Sequence, residues 1–582
     1  MKNYKKVYAA FILAGGLILH GCNGIFDDLA INPNQPSMGA YFTSPSAVND
    51  AVMTMYGYMS TQRCLGASGS KTTIIRSDEA SSNSDYGKPG MFGADLNASY
   101  YTIEQPYTLM YTTASQASYI IETAPSVDFS GNEELRNAYM GEAYFWRAFA
   151  HYYLLINFRN ISPIRQMPRN GDDYVRPLEK PAAVWNFIQE DLAHAKELLP
   201  VKGYWDSKNA GRVTKASAAA LLGKAYLYRS GIEQYYGEDK TTFYSEAAKE
   251  FGDVIDGKYG TYDLTKNYAD NFDVAHENNE ESILEFQFLG DVDNAGFNPG
   301  LATSGLAFDS RGLMLPGAGV GYEGVVHNWL YNAFVNSVDK DGYTDIRMFS
   351  TMIFNDLDAS IHLRNDAGGN LVRLEGPGGY KWEELYPAKN GKEGFATVSN
   401  PLAHSFKAGI RKGIDCSMPT QTEADGTPKL VGVGAGVKEY VYNQPRAHGV
   451  NWRYIRYADV LMMYAEAVVS GGTQASNMTP LQAVNKVRGR VNMSELPSVT
   501  MTDIQNERIL EFALEGHRFY DLLRWGKLAS RFTELQESDP NFKKFISADD
   551  FKGFVTNKHE WFPIPINEVN SNPYITENNP GY

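Results

Sequence analysis

Three groups of residues in this chain carry side chains able to do chemistry. The densest runs Glu507-Arg508-Ile509-Leu510-Glu511-Phe512-Ala513-Leu514-Glu515-Gly516-His517-Arg518-Phe519-Tyr520-Asp521-Leu522-Leu523-Arg524-Trp525-Gly526. His517 has the type of a general base, but no nucleophile stands at a recognisable spacing from it. It therefore reads as a structural histidine inside a buried ion-pair network of Glu507, Arg508, Glu515, Arg518, Asp521 and Arg524. Glu511, Phe512, Leu514, Phe519, Leu522, Leu523 and Trp525 fall at helical spacing and read as core. The second group is Asp339-Lys340-Asp341-Gly342-Tyr343-Thr344-Asp345. It places oxygen ligands like half a calcium loop, but lacks the glycine and the bidentate glutamate that complete one. It reads as a turn rather than a metal site. The third group is the general supply of Asp and Glu. Hydrolysis of a glycosidic bond needs two carboxyls about 5–10 Å apart across a sugar. No such pair is recognisable, nor is a barrel pattern of alternating strands and helices, so no catalytic residue is assigned.

The wider composition narrows the classes. The chain has 582 residues, 43% hydrophobic and 13% aromatic, which excludes a disordered polypeptide. Its length outgrows one small hydrophobic core. Lys and Arg number 53 against 68 Asp and Glu, for a net charge of −15 spread along the chain. Nucleic-acid binding relies on clustered basic residues, so that class is excluded as a partner. The 38 Tyr and 8 Trp supply rigid apolar faces with polar edges, suited to sugar or peptide contact as well as to packing. No Cys/His cluster, CxxC or HExxH appears, so neither a metal nor another cofactor is expected.

At the start, Lys2, Lys5 and Lys6 precede an apolar run from Val7 to Leu19, then Leu19-His20-Gly21-Cys22. The run is shorter than the ~20 residues that span a bilayer and has the length of a secretory signal. A small residue before cysteine at its end resembles a bacterial lipobox. Residues 1–21 are thus expected to be a lipoprotein signal peptide, with Cys22 acylated as a membrane anchor. Residues 22–45, rich in Asn, Pro and Ser, read as the lipidated tether. Cys64 and Cys416 remain as a disulfide or as two buried thiols.

The elements that position these groups are mostly helices. Ser44-Pro45 opens one over 46–60. Residues 66–100, polar and rich in Gly and Ser, read as a long surface excursion. Helical periodicity returns at 104–123 and is strongest at 133–157, with Glu142 the one polar conflict on its apolar stripe. Further helices are predicted at 182–199, from 214 to about 230, and at 456–470, 479–491 and 502–527. Leu222, Gly223 and Tyr226, then Ala247, Phe251 and Val254, have the spacing of a tetratricopeptide helix pair. Residues 280–288 alternate as a strand. From 289 to about 450 the pattern is irregular.

The 507–526 segment resembles the signature of the SusD/RagB family. So do four further stretches in the same order. They are Phe145-Trp146-Arg147-Ala148 with Tyr152-Tyr153, Asn279 to Glu285, Ile455 to Ala467, and Pro563-Ile564-Pro565 with the closing Asn579-Pro580-Gly581-Tyr582. The resemblance implies a mainly α fold, a tetratricopeptide-like helix-pair scaffold with an irregular, loop-rich second lobe and few short strands. It implies an N-terminal helical region over 46–275 and a C-terminal region over 276–582, with the loop-rich lobe at about 289–450 and closing helices at 456–527. It further implies a non-catalytic, outer-membrane, cell-surface lipoprotein of Bacteroidota. Such proteins capture oligosaccharide or polysaccharide nutrient for a SusC-like TonB-dependent transporter, or in the RagB branch peptides.

No ligand residue transfers by motif. A sugar presents apolar C–H faces flanked by hydroxyls, so its site needs exposed aromatic planes beside polar groups, carried on loops held by rigid helices. Two stretches qualify. One runs from Arg76 through Asp85 and Tyr86 to Tyr101. The other holds Tyr322, Trp329, Tyr331 and, further on, Trp382. Asp85, Tyr86, Tyr322, Trp329 and Trp382 are the ligand candidates, against the alternative that each ring packs in the lobe. Asp78 and Glu79 read as local partners of Arg76. A peptide ligand on the same fold stays open. A surface glycoside hydrolase is a weaker third reading.

Overall fold

Ser44 starts the first helix for a local reason: its hydroxyl accepts from the Ala47 N–H at 3.3 Å, and Pro45 is preset for the first turn. In this computed structural model the described residues are 42–61, 64–66, 71–81, 96–169, 171–288, 325–354, 360–364, 408–412, 424, 430–433, 437–440, 450–539 and 554–582. Cys22 and the sequence-predicted tether up to residue 41 lie outside them, as does Cys416. Cys64 is a buried free thiol.

Helices α1 (Pro45–Ser60), α2 (Tyr101–Thr123), α3 (Glu133–Phe158), α4 (Pro181–Leu198), α5 (Lys215–Tyr236) and α6 (Tyr244–Ile255) form the first half. From α2 to α6 each packs against the next, as antiparallel helix pairs do. Their starts are written locally. Asn132 caps α3 through Leu135 N, and Thr214 and Ser217 form a reciprocal capping box on α5. The apolar stripe of α3, including Phe145, Trp146, Phe149 and Tyr152, is buried. Glu142 on that stripe is fully buried too. It is held by Arg212, at 2.8 Å on one oxygen and 2.5 Å on the other, and by the Tyr56 hydroxyl at 2.6 Å. Arg147 similarly forks onto Asp191 at 2.7 and 2.8 Å, tying α3 to α4. The tetratricopeptide-like spacing has a packing meaning: a Cβ on Gly223 of α5 would lie 2.7 Å from the Phe251 ring of α6.

The second half holds α7 (Asn328–Val335), α8 (Arg347–Thr351), α9 (Tyr457–Val469), α10 (Pro480–Arg490), α11 (Met501–Glu511), α12 (Arg518–Arg524), α13 (Leu528–Ser538) and α14 (Ile566–Ser571). The short strands described are β1 (Ala80–Ser81), β2 (Ser282–Phe286), β3 (Val325–Val326), β4 (Met352–Phe354), β5 (Ala408–Ile410), β6 (Leu430–Val433), β7 (Val437–Tyr440) and β8 (Trp452–Arg456). They form a four-stranded sheet ordered β1-β3-β5-β4, a β2–β8 pair and a β6–β7 hairpin. Helix α9 packs on α6, and one hydrophobic core runs through both halves. The chain is thus mainly helical with few short strands, as its sequence predicts. The tail closes back on α3: Phe562 N donates to Asn157 O at 2.7 Å, and the Asn579 amide donates to Phe158 O and Phe562 O, both at 2.7 Å.

Four readings need correction. Residues 72–80 are not a surface excursion but are buried throughout. The segment read as one helix over 502–527 breaks at 512–517, where Leu514 (φ 61°) and Gly516 (φ 85°) are left-handed. Helix α13 follows where none was predicted. Glu511, read as core, is an ionic hub.

A larger side chain at the α5–α6 crossing tests this packing. Gly223→Leu should cost about 1–3 kcal/mol through overpacking, measured as a lower urea midpoint with an unchanged m-value. An unaltered midpoint would show that the two helices part readily.

Candidate functional site

The four-stranded sheet is built from strands of two or three residues, so its significance lies in what it joins. β1 pairs antiparallel with β3, setting Ala80 opposite Val326 and Ser81 opposite Val325, and β5 lies between β3 and β4. The stretch after β1 carries Asp85 and Tyr86. The stretch before β3 carries Tyr322. The stretch between β4 and β5 carries Trp382. These four candidates lie outside the described residues. Their flanking strands nonetheless share one sheet, which brings the two sequence-nominated regions to a common root.

Trp329, the fifth candidate, is described. It stands on α7 just after β3, is half-buried, and its indole N–H donates to the Asp78 carbonyl at 2.5 Å. The Arg531 and Arg518 guanidiniums lie 4.2 and 5.5 Å from its ring. Its polar edge is therefore committed inside the protein, as in the packing alternative. The buried His327 ring also reaches the Asp78 carbonyl, at 2.7 Å through Nδ1, and burial lowers its pKa to about 4.

Asp78 organises this root. Its carboxylate accepts from Arg518 at 2.9 and 3.1 Å and from Arg531 at 2.7 Å. Burial alone would raise its pKa, but the two guanidiniums outweigh that and hold it below the usual range. Its neighbour Glu79 has no such partner. It accepts the Leu514 N–H at 3.0 Å and the Ser77 hydroxyl at 3.2 Å, and burial, reinforced by Asp78, pushes it up to about 8. Neither acid pairs with Arg76, contrary to the sequence reading. Arg76 lies between the Phe519 and Phe562 rings at 3.9 and 3.7 Å and donates to Asn157 and to the Glu560 carbonyl.

Beneath the root, the broken signature segment joins two buried ionic networks. In the first, Glu511 accepts from Arg456 at 2.6 Å, from Arg347 at 3.0 Å and from Arg490. Arg347 also binds Asp345 and Glu507, and Arg456 also binds Glu281 and Glu515. With Lys412 on Glu515 and Arg488 on Glu507, five basic groups meet five acidic ones. In the second, Asp459 binds Arg508 and Lys224, Arg508 binds Asp521, and Arg524 binds Asp521 and Glu466. His517 is buried beside Asp459 and Lys224, and burial lowers its pKa to about 4, so it stays neutral at pH 7. These carboxylates are ties between elements. The 339–345 segment is likewise a turn: Asp339 caps the Asp341 and Tyr343 N–H groups, and Gly342 takes φ 88°. Lys412, Arg531 and the strands of the sheet escaped the sequence reading, since runs of two or three residues have no periodicity.

Comparison with known proteins agrees with this architecture. The profile described as "SusD family" matches residues 423–582, and one described as "Starch-binding associating with outer membrane" matches 31–227. A SusD-like protein of Bacteroides ovatus is 24% identical over 532 residues, 90% of this chain and 83% of that protein. A SusD superfamily crystal structure from Bacteroides vulgatus superposes with a TM-score of 0.67 at 22% identity, covering 93% of this chain and 100% of that one. A laminarin-binding SusD-like protein gives 0.61 at 22% identity over 93% and 100% of the two chains. At these identities the structures show a shared fold.

Two measurements probe the root. Trp329→Ala should destabilise the protein by about 1–3 kcal/mol, since the ring and its hydrogen bond hold Asp78; an unchanged melting temperature would free Trp329 from that role. Glu79 keeps its proton through neutral pH, whereas an unfolded glutamate ionises at about pH 4.3. Its contribution to stability is full below that value and is lost as pH rises through about 8. Glu79→Gln should therefore flatten the decline in unfolding free energy between about pH 5 and 8. Identical slopes in variant and wild type would remove Glu79 as the cause.

Proposed function

The chain belongs to the SusD/RagB family, and on that premise we propose that it captures glycan nutrient at the cell surface without cleaving it. The family is one of carbohydrate-binding proteins. The single observation that carries the reading is the common sheet root of the stretches bearing Asp85, Tyr86, Tyr322 and Trp382. Aromatic planes with polar neighbours, as the sequence nominates in those stretches, suit the alternating faces and hydroxyls of a polysaccharide. The described Asp78 and Glu511 clusters supply the base: their carboxylates are buried, and the Asp78 and Glu511 carboxylates are bound by guanidiniums.

In this proposal Cys22 carries acyl chains that hold the protein on the outer membrane, facing outward. Among the described residues no helix is long and apolar enough to cross a membrane. The bound glycan passes to a SusC-like TonB-dependent transporter. The description of one matching profile, starch-binding and outer-membrane-associated, and the laminarin-binding structural neighbour support the carbohydrate reading over a peptide ligand.

Native gels cast with laminarin or starch test it. The protein should be retarded by at least one of these polymers, with no reducing ends released on prolonged incubation. Trp382→Ala should weaken retardation while leaving the melting temperature unchanged. Sugar release, or retardation by neither glycan but binding on a peptide array, would overturn the reading. Cys22→Ala should move the protein from the membrane fraction to the soluble one.

A further inference from the structure

We infer that the helical scaffold carries a second carbohydrate site, a preformed cleft between the α4–α5 connection and β2, sized for one neutral sugar ring. It rests on the proposed function only for the class of ligand. The cleft encloses about 230 Å³, and none of the residues lining it belongs to the four-stranded sheet or the Asp78 cluster. That is below the roughly 300–1,000 Å³ of sites for drug-sized ligands, which fits a single ring rather than a chain.

The walls are fixed before any ligand arrives. Trp205 donates its indole N–H to Val213 O at 3.2 Å, and the Arg212 guanidinium lies 4.2 Å from its ring. Arg212 is itself held by the buried Glu142. Trp205 lines the cleft as an aromatic wall, and Tyr204, 36% exposed, packs edge to face on it at 4.9 Å from outside. Gly203, at φ 94°, has open space where a side chain would project, which leaves the mouth clear. On the inner side Tyr262 shares a contact with the Thr214 hydroxyl at 3.5 Å and underlies the Lys202 ammonium at 3.9 Å.

Polar groups with unused bonding capacity gather at the same place. Lys202 gives one hydrogen bond, to Thr261 O at 3.1 Å, out of three it can donate. Asp206 accepts from Asn209 through Oδ1 and stands exposed at the mouth, where its carboxylate can accept further hydrogen bonds. Ser207 lines the cleft, and its hydroxyl takes part in no hydrogen bond among the described residues. Charge is balanced: Glu280 offsets Lys202, Lys208 offsets Asp206, Glu142 offsets Arg212, and Arg453 offsets Glu285. An anion would need unopposed positive charge. A metal would need converging ligands, and no group of three His, Cys, Asp or Glu forms one among the described residues. An apolar guest would strand the polar groups. A sugar ring meets all of these demands, with a C–H face for the Trp205 wall and hydroxyls that both donate and accept.

The full-length protein, titrated with D-glucose, D-galactose and D-mannose and read by saturation-transfer NMR, tests the site. At least one sugar should bind in the millimolar range. Tyr204→Ala, which removes the ring braced against the Trp205 wall, should weaken it about five-fold, the scale of one aromatic contact. Ser207→Trp, an exposed substitution that plugs the mouth, should abolish it. Both variants should keep the wild-type melting temperature and the retardation by laminarin or starch that reports the loop-borne site. Monosaccharide binding unaffected by either variant, or no binding of any of the three sugars, would overturn the inference. Loss of polymer retardation in the wild type alone would instead count against the proposed function.

Discussion

Three guanidiniums converge on the Glu511 carboxylate, and the mutual placement of α8, β8, α10 and α11 follows from that meeting. Arg347 reaches it from α8, Arg456 from the end of β8 and Arg490 from the end of α10. Taking so many charges out of water is costly, and each is tolerable only because its counter-charge is in place. The guanidiniums hold Glu511 far below the ordinary carboxylate range although burial alone would raise it. Such a network adds little net stability compared with a well-packed apolar core. What it supplies is geometry: a strand, two helices and the α11 end can sit in one relative arrangement without leaving a bare charge.

That arrangement explains why the signature segment breaks. The Leu514 N–H, which a continuous helix would bond to a carbonyl one turn back, is taken by Glu79 from far earlier in the chain. The Ala513 carbonyl is taken by Lys412 at 2.8 Å. Distant partners thus replace the local ladder, and the left-handed Leu514 is the backbone's answer. Burial and proximity to Arg456 lower the Lys412 pKa to about 8 even though Glu515 opposes this. Scaffold and lobe are joined through these polar contacts as well as through shared apolar surface.

The same contrast sets what could be read from the residues alone. Helices with caps and a clear apolar stripe, such as Pro45–Ser60, Glu133–Phe158 and Lys215–Tyr236, were legible because their causes lie within a few residues. The motif resemblance and the Gly223–Phe251 pairing were legible too. Residues 72–80 were not, because Thr72-Thr73…Arg76-Ser77-Asp78-Glu79 looks like solvent-facing sequence. Only the aromatic sandwich around Arg76 and the arginines on Asp78 make its burial affordable. The sheet at the root of the candidate site was invisible for a different reason. Its strands are too short to show a period, and their partners lie far off in the chain, as where Ala80 meets Val326.

The tail carries one more implication. Asn579 bonds to the end of α3 across more than four hundred residues, and Phe562 forms one face of the slot that shelters Arg76. Helix α3 and the Arg76 slot therefore remain incomplete until residues 562–579 have been synthesised. Vectorial production delivers an open, unfinished body whose ends must find each other last, a high-contact-order closure that is slow by nature. Such lateness has one physical consequence: a chain that cannot lock early stays threadable.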